Sequence, residues 1–293
     1  MKPNEIDVSV IIPVYNEQEA IAHVLDQIIA VMDATDISYE IIVVDDGCTD
    51  ATPEICRRYP TVRMLRHERN RGTGAARTTG VRAAHGRDVI MIDADGTYPV
   101  DVFPQMLAML DECEMVIGAR EREMGTVKWL RSLAKNFIRA LASYLTRTPI
   151  PDLNSGLRAM KRDLVLEFLP ILPESHSWVS TITMAFLSTG YRVKWLPIEY
   201  YKRIGRSTFH PLRDTYNYLT LVVRAIMYFN PLRVFLPLTL FLFTLGTGKL
   251  IYDIIVHNFR IPTNTVILIL TAFQVGAIGL LADLIVKRGA LKK

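Results

Sequence analysis

Five short runs rich in Val, Ile and Met punctuate the first 120 residues: "VSVIIP" (8–13), "YEIIVVDD" (39–46), "TVRMLR" (61–66), "DVIMIDAD" (88–95) and "EMVIGA" (114–119). Segments with helical periodicity lie between most of them; in 17–34, Ala20, Val24, Ile28 and Val31 fall on one helical face. Strand and helix in alternation predict an α/β domain, a mainly parallel sheet flanked by helices on both faces. Ligands of such sheets bind beyond the carboxyl ends of the strands. That rule gathers the polar run ends onto one rim: Tyr15, Asn16 and Glu17 after the first run, Asp45 and Asp46 closing the second, Asp93 and Asp95 closing the fourth.

Carboxylates two residues apart in an extended segment point to the same side, where they repel or stay protonated unless a cation neutralises them. A hard divalent cation, Mg²⁺ or Mn²⁺, on Asp93 and Asp95 would do so and keep positions open for phosphate oxygens. The competing reading makes one aspartate a helix cap and leaves the other solvated. The glycines of "NRGTGAARTTG" (70–80) lack the G-x-G-x-x-G pattern after a first strand, which excludes a Rossmann cofactor site. This stretch reads as a loop and helix start after the third strand, with Arg71 and Arg77 near the rim and able to meet phosphate.

A formal charge of +4 without a dense basic stripe argues against nucleic acid as a partner. Cys48, Cys56 and Cys113 lack metal-ligand spacing, which suits structural thiols in a reducing cytosol. The opening "MKPNEIDVSVIIPVYNE" has neither the apolar core nor the cleavage site of a signal peptide. Beyond about Tyr228 the composition changes to two apolar blocks, 234–256 and 265–286, each long enough to cross roughly 30 Å of hydrocarbon at about 1.5 Å per residue. Lys249 with Asp253, and Asp283 with Lys287, stand one turn apart and can neutralise each other near a membrane end.

Arg206, Arg213, Arg224 and Arg233 precede the first block and Lys287, Arg288, Lys292 and Lys293 follow the second, against Arg260 between them, so both termini are predicted cytoplasmic. The expected organisation is a cytoplasmic catalytic domain over 1–210, a juxtamembrane amphipathic segment over 211–233, and two transmembrane helices with a basic tail over 234–293. Within the first domain, 127–147 reads as a basic interfacial helix, with Leu130, Leu133, Phe137, Leu141 and Tyr144 on one face and Lys128, Arg131, Lys135 and Arg139 on another. A two-helix hairpin buries little surface by itself, which leaves room for a homo-oligomer of unspecified number.

In this order and spacing, "SVIIPVYNE", "EIIVVDDGCTD", "NRGTGAARTTG", "VIMIDADGTYP" and "DLNSGLRAM" resemble glycosyltransferase family 2, over roughly residues 8–210. The resemblance implies a GT-A fold and a nucleotide-sugar donor, UDP- or GDP-linked, on the rim. It implies that Pro13, Tyr15 and Glu17 line the nucleotide pocket, that Asp45 or Asp46 contacts the base, and that Asp93 and Asp95 hold the metal on the diphosphate. Cys48 departs from the usual serine, and Thr73 from a common lysine whose charge Arg71 or Arg77 would replace. With its C-terminal hairpin the chain is similar, within that family, to the polyprenyl-phosphate glycosyltransferases. Their D-x-x-S-G and R-x-G-x-S motifs shape the acceptor side; here these are Asp152, Ser155 and Gly156, and Arg203, Gly205 and Ser207, with Thr208 where lysine is commoner.

The acceptor's chemistry separates two mechanisms. A sugar hydroxyl needs a general base, whereas a polyprenyl phosphate, with a second pKa of about 6, is already largely an oxyanion at neutral pH. It needs cations, and Lys135, Arg139, Ser155, Arg158, Lys202, Arg203, Arg206 and Ser207 offer them together with hydroxyl donors. The expected reaction is inverting transfer of a sugar to a membrane polyprenyl phosphate, with Asp152 either a base or, preferably, orienting a cation. The rivals are transfer to a glycolipid or polysaccharide hydroxyl, and a non-catalytic nucleotide-binding membrane scaffold.

Overall fold

The computed structural model describes residues 6–120, 143, 148–175, 177–204, 231–256 and 261–290. The chain divides into two compact units, Met1–Leu221 and Val222–Lys293. In the first, β1 (Val8–Val14), α1 (Ile21–Asp33), β2 (Tyr39–Asp45), α2 (Thr52–Cys56), β3 (Val62–Arg66), α3 (Thr73–Ala83) and β4 (Asp88–Met91) alternate as the periodicity predicts. After α4 (Phe103–Met109) and β5 (Met115–Arg120) come β6 (Arg158–Lys161), α5 (Arg162–Phe168), a 3-10 turn (Leu169–Ile171), α6 (Trp178–Ser188) and β7 (Val193–Ile198).

The seven strands form one sheet in the order β3-β2-β1-β4-β6-β5-β7. Pairing is parallel from β3 through β4 and again between β5 and β7; β6 runs antiparallel to both its neighbours. The mainly parallel sheet with flanking helices is thus present, and β6 makes it mixed. All seven residues of β1 are buried, as a strand covered on both faces requires. From α1, Ile21, Val24, Leu25, Ile28 and Met32 enter the same core as Val10, Ile12 and Phe103. Side chains of this size contribute about 1.5–3 kcal/mol each on full burial.

The strands differ from the sequence reading in two respects. Strand β4 stops at Met91, so Asp93 and Asp95 sit on the turn beyond it, which Gly96 closes with φ +71°. Strands β6 and β7 lie outside the five anticipated runs. The expected interfacial helix with Lys135 and Arg139, the juxtamembrane segment before Pro231, and Arg206 and Ser207 fall outside the described residues.

The second unit is a helical hairpin, α7 (Leu232–Val256) and α8 (Thr263–Ala290). Mean hydropathy is 1.8 over the first and 2.2 over Thr263–Val286, and both are long and apolar enough to cross a membrane. Small residues let the helices approach: a Cβ on Gly246 would stand 2.9 Å from Ile269 and one on Gly276 3.1 Å from Thr239. One polar cluster, at Asp253 and Thr265, faces inward. Asp253 is buried and takes Lys249 Nζ at 2.9 Å from its own helix and the Thr265 hydroxyl from the other.

Candidate active site

The turn after β4 presents the two carboxylates in different surroundings. Asp93 accepts Arg77 Nη2 at 2.6 Å through Oδ1, and that arginine, from α3, is almost wholly buried. Asp93 Oδ2 takes no protein donor among the described residues; it lies against Gly156, where a Cβ would collide with the carboxylate. Asp95 accepts the Thr97 hydroxyl at 2.6 Å and the Thr97 amide at 3.2 Å through Oδ1, and its Oδ2 stands 3.5 Å from Arg203 Nη1. Burial, and next the charge of Asp93, push the Asp95 pKa above the ordinary carboxylate range. Two neighbouring carboxylates, one of them with an oxygen that no protein donor among the described residues satisfies, suit a hard cation. Among the described residues no group of three or more His, Cys, Asp or Glu forms an all-protein metal cage. A pair of carboxylates completed by phosphate oxygens is how Mg²⁺ is commonly held.

On the β1 side, Pro13 is buried within the strand, Tyr15 is exposed, and Asn16 takes φ +55° at the start of the turn. Asparagine tolerates that left-handed conformation, and its Oδ1 accepts the Thr49 amide at 2.8 Å, tying this turn to the one after β2. Cys48 does the rest of that work in serine's place: its sulfur accepts the Asn16 amide at 3.2 Å and its own amide donates to Asp45 Oδ1 at 2.7 Å. Burial pushes its thiol up to about 12, so it stays neutral. Glu17 pairs with Arg203, yet burial outweighs that pairing and, with Asp95 and Asp93 nearby, lifts its pKa to about 7.

Asp45 and Asp46 are both buried, and they divide their tasks. Asp45 Oδ2 lies 3.2 Å from Arg66 Nε. Asp46 organises the loop after β3: Oδ1 meets His67 Nδ1 at 2.7 Å and the Arg71 amide at 2.9 Å, and Oδ2 accepts the Gly72 amide at 2.8 Å. With Nδ1 donating to Asp46, His67 Nε2 is left to accept the Thr79 hydroxyl at 2.9 Å. This loop borders a depression of about 830 Å³ lined by Arg66, His67, Arg69, Asn70, Arg71 and Glu174. Arg71 pairs with Glu174 at 2.7 Å, both largely exposed. The start of α3 is closed by protein, since the Ala75 amide donates to the Glu174 carbonyl at 3.1 Å and a Cβ on Gly72 or Gly74 would strike the 173–175 backbone.

The segment before β6 forms the other wall. Asp152 receives Arg120 in a bidentate pair, Nε to Oδ2 at 2.6 Å and Nη2 to Oδ1 at 2.9 Å, and accepts the Asn154 amide at 3.0 Å. Burial would raise its pKa, but the hydrogen bonds and charge of Arg120 prevail and hold it below the usual carboxylate range. Arg120 also lies over the Tyr200 ring, 5.2 Å from its centroid, and Tyr200 meets Tyr98 edge-on at 5.3 Å. Tyr98 in turn accepts the Gly156 amide at 2.7 Å through its hydroxyl. Ser155 Oγ is buried and without a partner among the described residues. Arg158, named among the acceptor cations, is fully buried and donates to the Ser155 and Leu153 carbonyls at 2.9 and 3.0 Å, which fixes this loop from behind.

Sequence reading missed Arg120 and Tyr98. Arg120 was open to the rim rule that found the acids, because it ends β5 at the carboxyl edge; Tyr98 carried no signal beyond its place three residues after Asp95. Lys135, Arg139 and Ser207 lie outside the described residues, so the structure brings together Glu17, Asp93, Asp95 and Arg203 on one side and Asp152 and Ser155 on the other.

Comparison with known proteins supplies a second line of evidence. The sequence pattern of glycosyl transferase family 2 matches residues 9–169, and that of the GtrB C-terminal hairpin matches residues 230–287. A dolichyl-phosphate beta-glucosyltransferase of Trichomonas vaginalis is 31% identical over 151 residues, 46% of this chain and 45% of that protein. An undecaprenyl-phosphate 4-deoxy-4-formamido-L-arabinose transferase of Proteus mirabilis is 31% identical over 163 residues, 54% of this chain and 50% of its own. The chain thus spans about half the length of these curated relatives. A dolichyl-phosphate hexose transferase of Haloferax volcanii is 29% identical over 207 residues, 70% of this chain and 87% of its own. In fold, the chain is similar to glucosyl-3-phosphoglycerate synthase from Mycobacterium tuberculosis, with TM-score 0.60 at 22% identity, covering 75% of this chain and 80% of the other.

Proposed function

Because the chain belongs to glycosyl transferase family 2, we propose that it transfers a sugar, with inversion, from a nucleotide-sugar to a polyprenyl phosphate at the cytoplasmic face of a membrane. The observation that carries the acceptor assignment is the state of Asp152. A hydroxyl acceptor requires a general base, and this carboxylate is locked in a bidentate pair with Arg120 and held below its usual pKa. A phosphate acceptor needs no proton removed. The names of the relatives from Trichomonas vaginalis, Proteus mirabilis and Haloferax volcanii, which carry dolichyl or undecaprenyl phosphate, point the same way, as does the apolar hairpin.

In this reading Pro13, Tyr15, Glu17, Asp45 and Asp46 shape the nucleotide seat, bounded by the Arg66–Arg71 loop. Asp93 and Asp95 are the residues that would hold Mg²⁺ or Mn²⁺. When bound, that ion would stabilise the charge on the departing diphosphate. Arg77 fixes the rotamer of Asp93, Thr97 that of Asp95, and Arg158 the loop that carries Ser155. The Ser155 hydroxyl donates to the acceptor phosphate, with Arg203, Lys135, Arg139 and Ser207 as further contacts, while Asp152 orients Arg120 across the same space. Attack by the phosphate oxygen from the face opposite the diphosphate inverts the anomeric carbon. The proposed arrangement has a catalytic domain over 1–210, a juxtamembrane amphipathic segment over 211–233 and two transmembrane helices with a basic tail over 234–293, with both termini cytoplasmic. Homo-oligomerisation through the hairpin is compatible with it.

The test is transfer by the full chain in detergent with Mg²⁺ or Mn²⁺, a panel of labelled UDP- and GDP-sugars, and either a polyprenyl phosphate or the matching polyprenol. Label entering lipid only with the phosphate, and lost in Asp95→Asn, is the expected result. Transfer to the polyprenol or a soluble sugar, but not to the phosphate, would refute the acceptor assignment.

A further inference from the structure

Arg203 belongs by sequence to the acceptor side, yet its guanidinium lies among the donor-side carboxylates. Nη2 donates to Glu17, and Nη1 stands 3.5 Å from Asp95 Oδ2. Its buried Nε has no partner among the described residues, so this seat leaves one strong donor unused. The backbone that carries it is fastened to the aspartate turn: the Tyr201 amide donates to the Thr97 carbonyl at 2.9 Å and the Ile204 amide to the Asp95 carbonyl at 3.1 Å. The Ile204 side chain rests on Gly96, where a Cβ would stand 3.1 Å from Cδ1. The main chain is therefore anchored beside Asp95, while the side chain is one-third exposed and held only through its guanidinium.

A divalent cation and this guanidinium are both positive, and both need Asp95 Oδ2. They cannot share it without strong repulsion at this distance. Glu17, Asp93 and Asp95 bring at most three negative charges against the two positive charges of Arg77 and Arg203, so a doubly charged ion added beside both arginines leaves a net positive cluster, whereas one in place of Arg203 removes one of those charges. Exchange is therefore electrostatically favoured over addition. Resting on the metal assignment above, we propose that Arg203 is an exchangeable counter-ion: metal-bound donor evicts it from Asp95 and Glu17, and the released cation turns to the anionic acceptor. The acceptor site then gains this cation only after the donor is in place, and the lipid phosphate is not gripped beside an empty donor seat. A ligand moves such an equilibrium only by its differential affinity for the two arrangements, and here that difference is the competition at Asp95.

The experiment is a Mn²⁺ titration of the full chain in detergent micelles without nucleotide, read by electron paramagnetic resonance of free Mn²⁺, for the wild type, Arg203→Gln, Arg203→Lys and Asp95→Asn. With the competitor gone, Arg203→Gln is expected to bind Mn²⁺ at least about tenfold more tightly than the wild type, with Arg203→Lys between them and Asp95→Asn weakest. Equal affinity in wild type and Arg203→Gln, with Asp95→Asn still impaired, would overturn the exchange and leave the metal assignment standing. Binding indifferent to Asp95→Asn would overturn the metal assignment itself. Should Arg203→Gln fail to melt cooperatively, Arg203→Lys decides: a Mn²⁺ affinity equal to that of the wild type, with Asp95→Asn still impaired, would overturn the exchange.

Discussion

Replacing Gly156 by alanine should disable the site without altering a single charge. A Cβ at this position would stand 2.7 Å from Asp93 Cγ and 3.0 Å from Oδ1, and closer still to Oδ2. Ordinary contact begins near 3.4 Å, so the carboxylate has to retreat by about 1 Å, a displacement of the kind that costs roughly 10²-fold in rate when it falls on a reacting constellation. The backbone cannot yield instead, because the Gly156 amide is held by the Tyr98 hydroxyl at 2.7 Å. Retreat also breaks the 2.6 Å bond from Arg77, whose buried Nε already lacks a partner. The expected outcome is a fall in transfer rate of about 10² with destabilisation of about 1–3 kcal/mol, the range for overpacking. Gly190 provides the control: it has φ +89° and nothing within 4 Å of a built Cβ, so alanine there costs about 1–2 kcal/mol of backbone energy and leaves kcat unchanged. Labelled-sugar transfer and thermal melts of the detergent-solubilised chain measure both. A Gly156→Ala protein within threefold of the wild-type rate would refute the claim that Asp93 must stay where Gly156 lets it lie.

Asp152 has its pKa lowered in the folded chain, so its contribution to stability is present above the unfolded carboxylate pKa and is lost as pH falls through the folded one; melts from pH 7 to 3 should show an acid-side decline that Asp152→Asn flattens, from a lower starting stability. Arg71→Gln should shift stability by less than about 1 kcal/mol, because its partner Glu174 and the arginine are both exposed. Arg77→Gln, which leaves Asp93 without its buried partner, should cost about 3–5 kcal/mol and depress transfer; equal melting points for the two variants would contradict this. In the hairpin, Lys249→Met or Asp253→Leu alone leaves one charge uncompensated, so each single variant should melt lower in detergent than the double variant.

The half of the sheet from β3 to β4 was legible because its strands are short runs rich in Val, Ile and Met and α1 carries a one-sided stripe. Ile21, Val24, Leu25 and Ile28 enter the core as a helical stripe should. Strand β6 escaped because its four residues, "RAMK", contain no apolar run; its place depends on Arg158 being satisfied by carbonyls of Leu153 and Ser155, a tertiary fact. Strand β7 contains Pro197, which reads against a central strand and belongs to the sheet edge it occupies. Among site residues, position along the chain located the acids but not their partners. Nothing in the spacing of Arg77 and Asp93, or of Arg120 and Asp152, tells that these are pairs, because each forms only when separate strands and helices converge.

The paired amides and carbonyls that join Tyr201 to Thr97 and Ile204 to Asp95 bind positions more than a hundred residues apart into one short ladder. For protein engineering this makes the two strips a single transplantable part. A chimaera that imports the aspartate turn from a relative while keeping the native "YYKRI" would meet a mismatched register at the centre of the site. An insertion of one residue in either strip would be read by the other as a slip, turning Arg203 to the wrong face. Donor and acceptor preference in this scaffold should therefore be exchanged by moving both strips together.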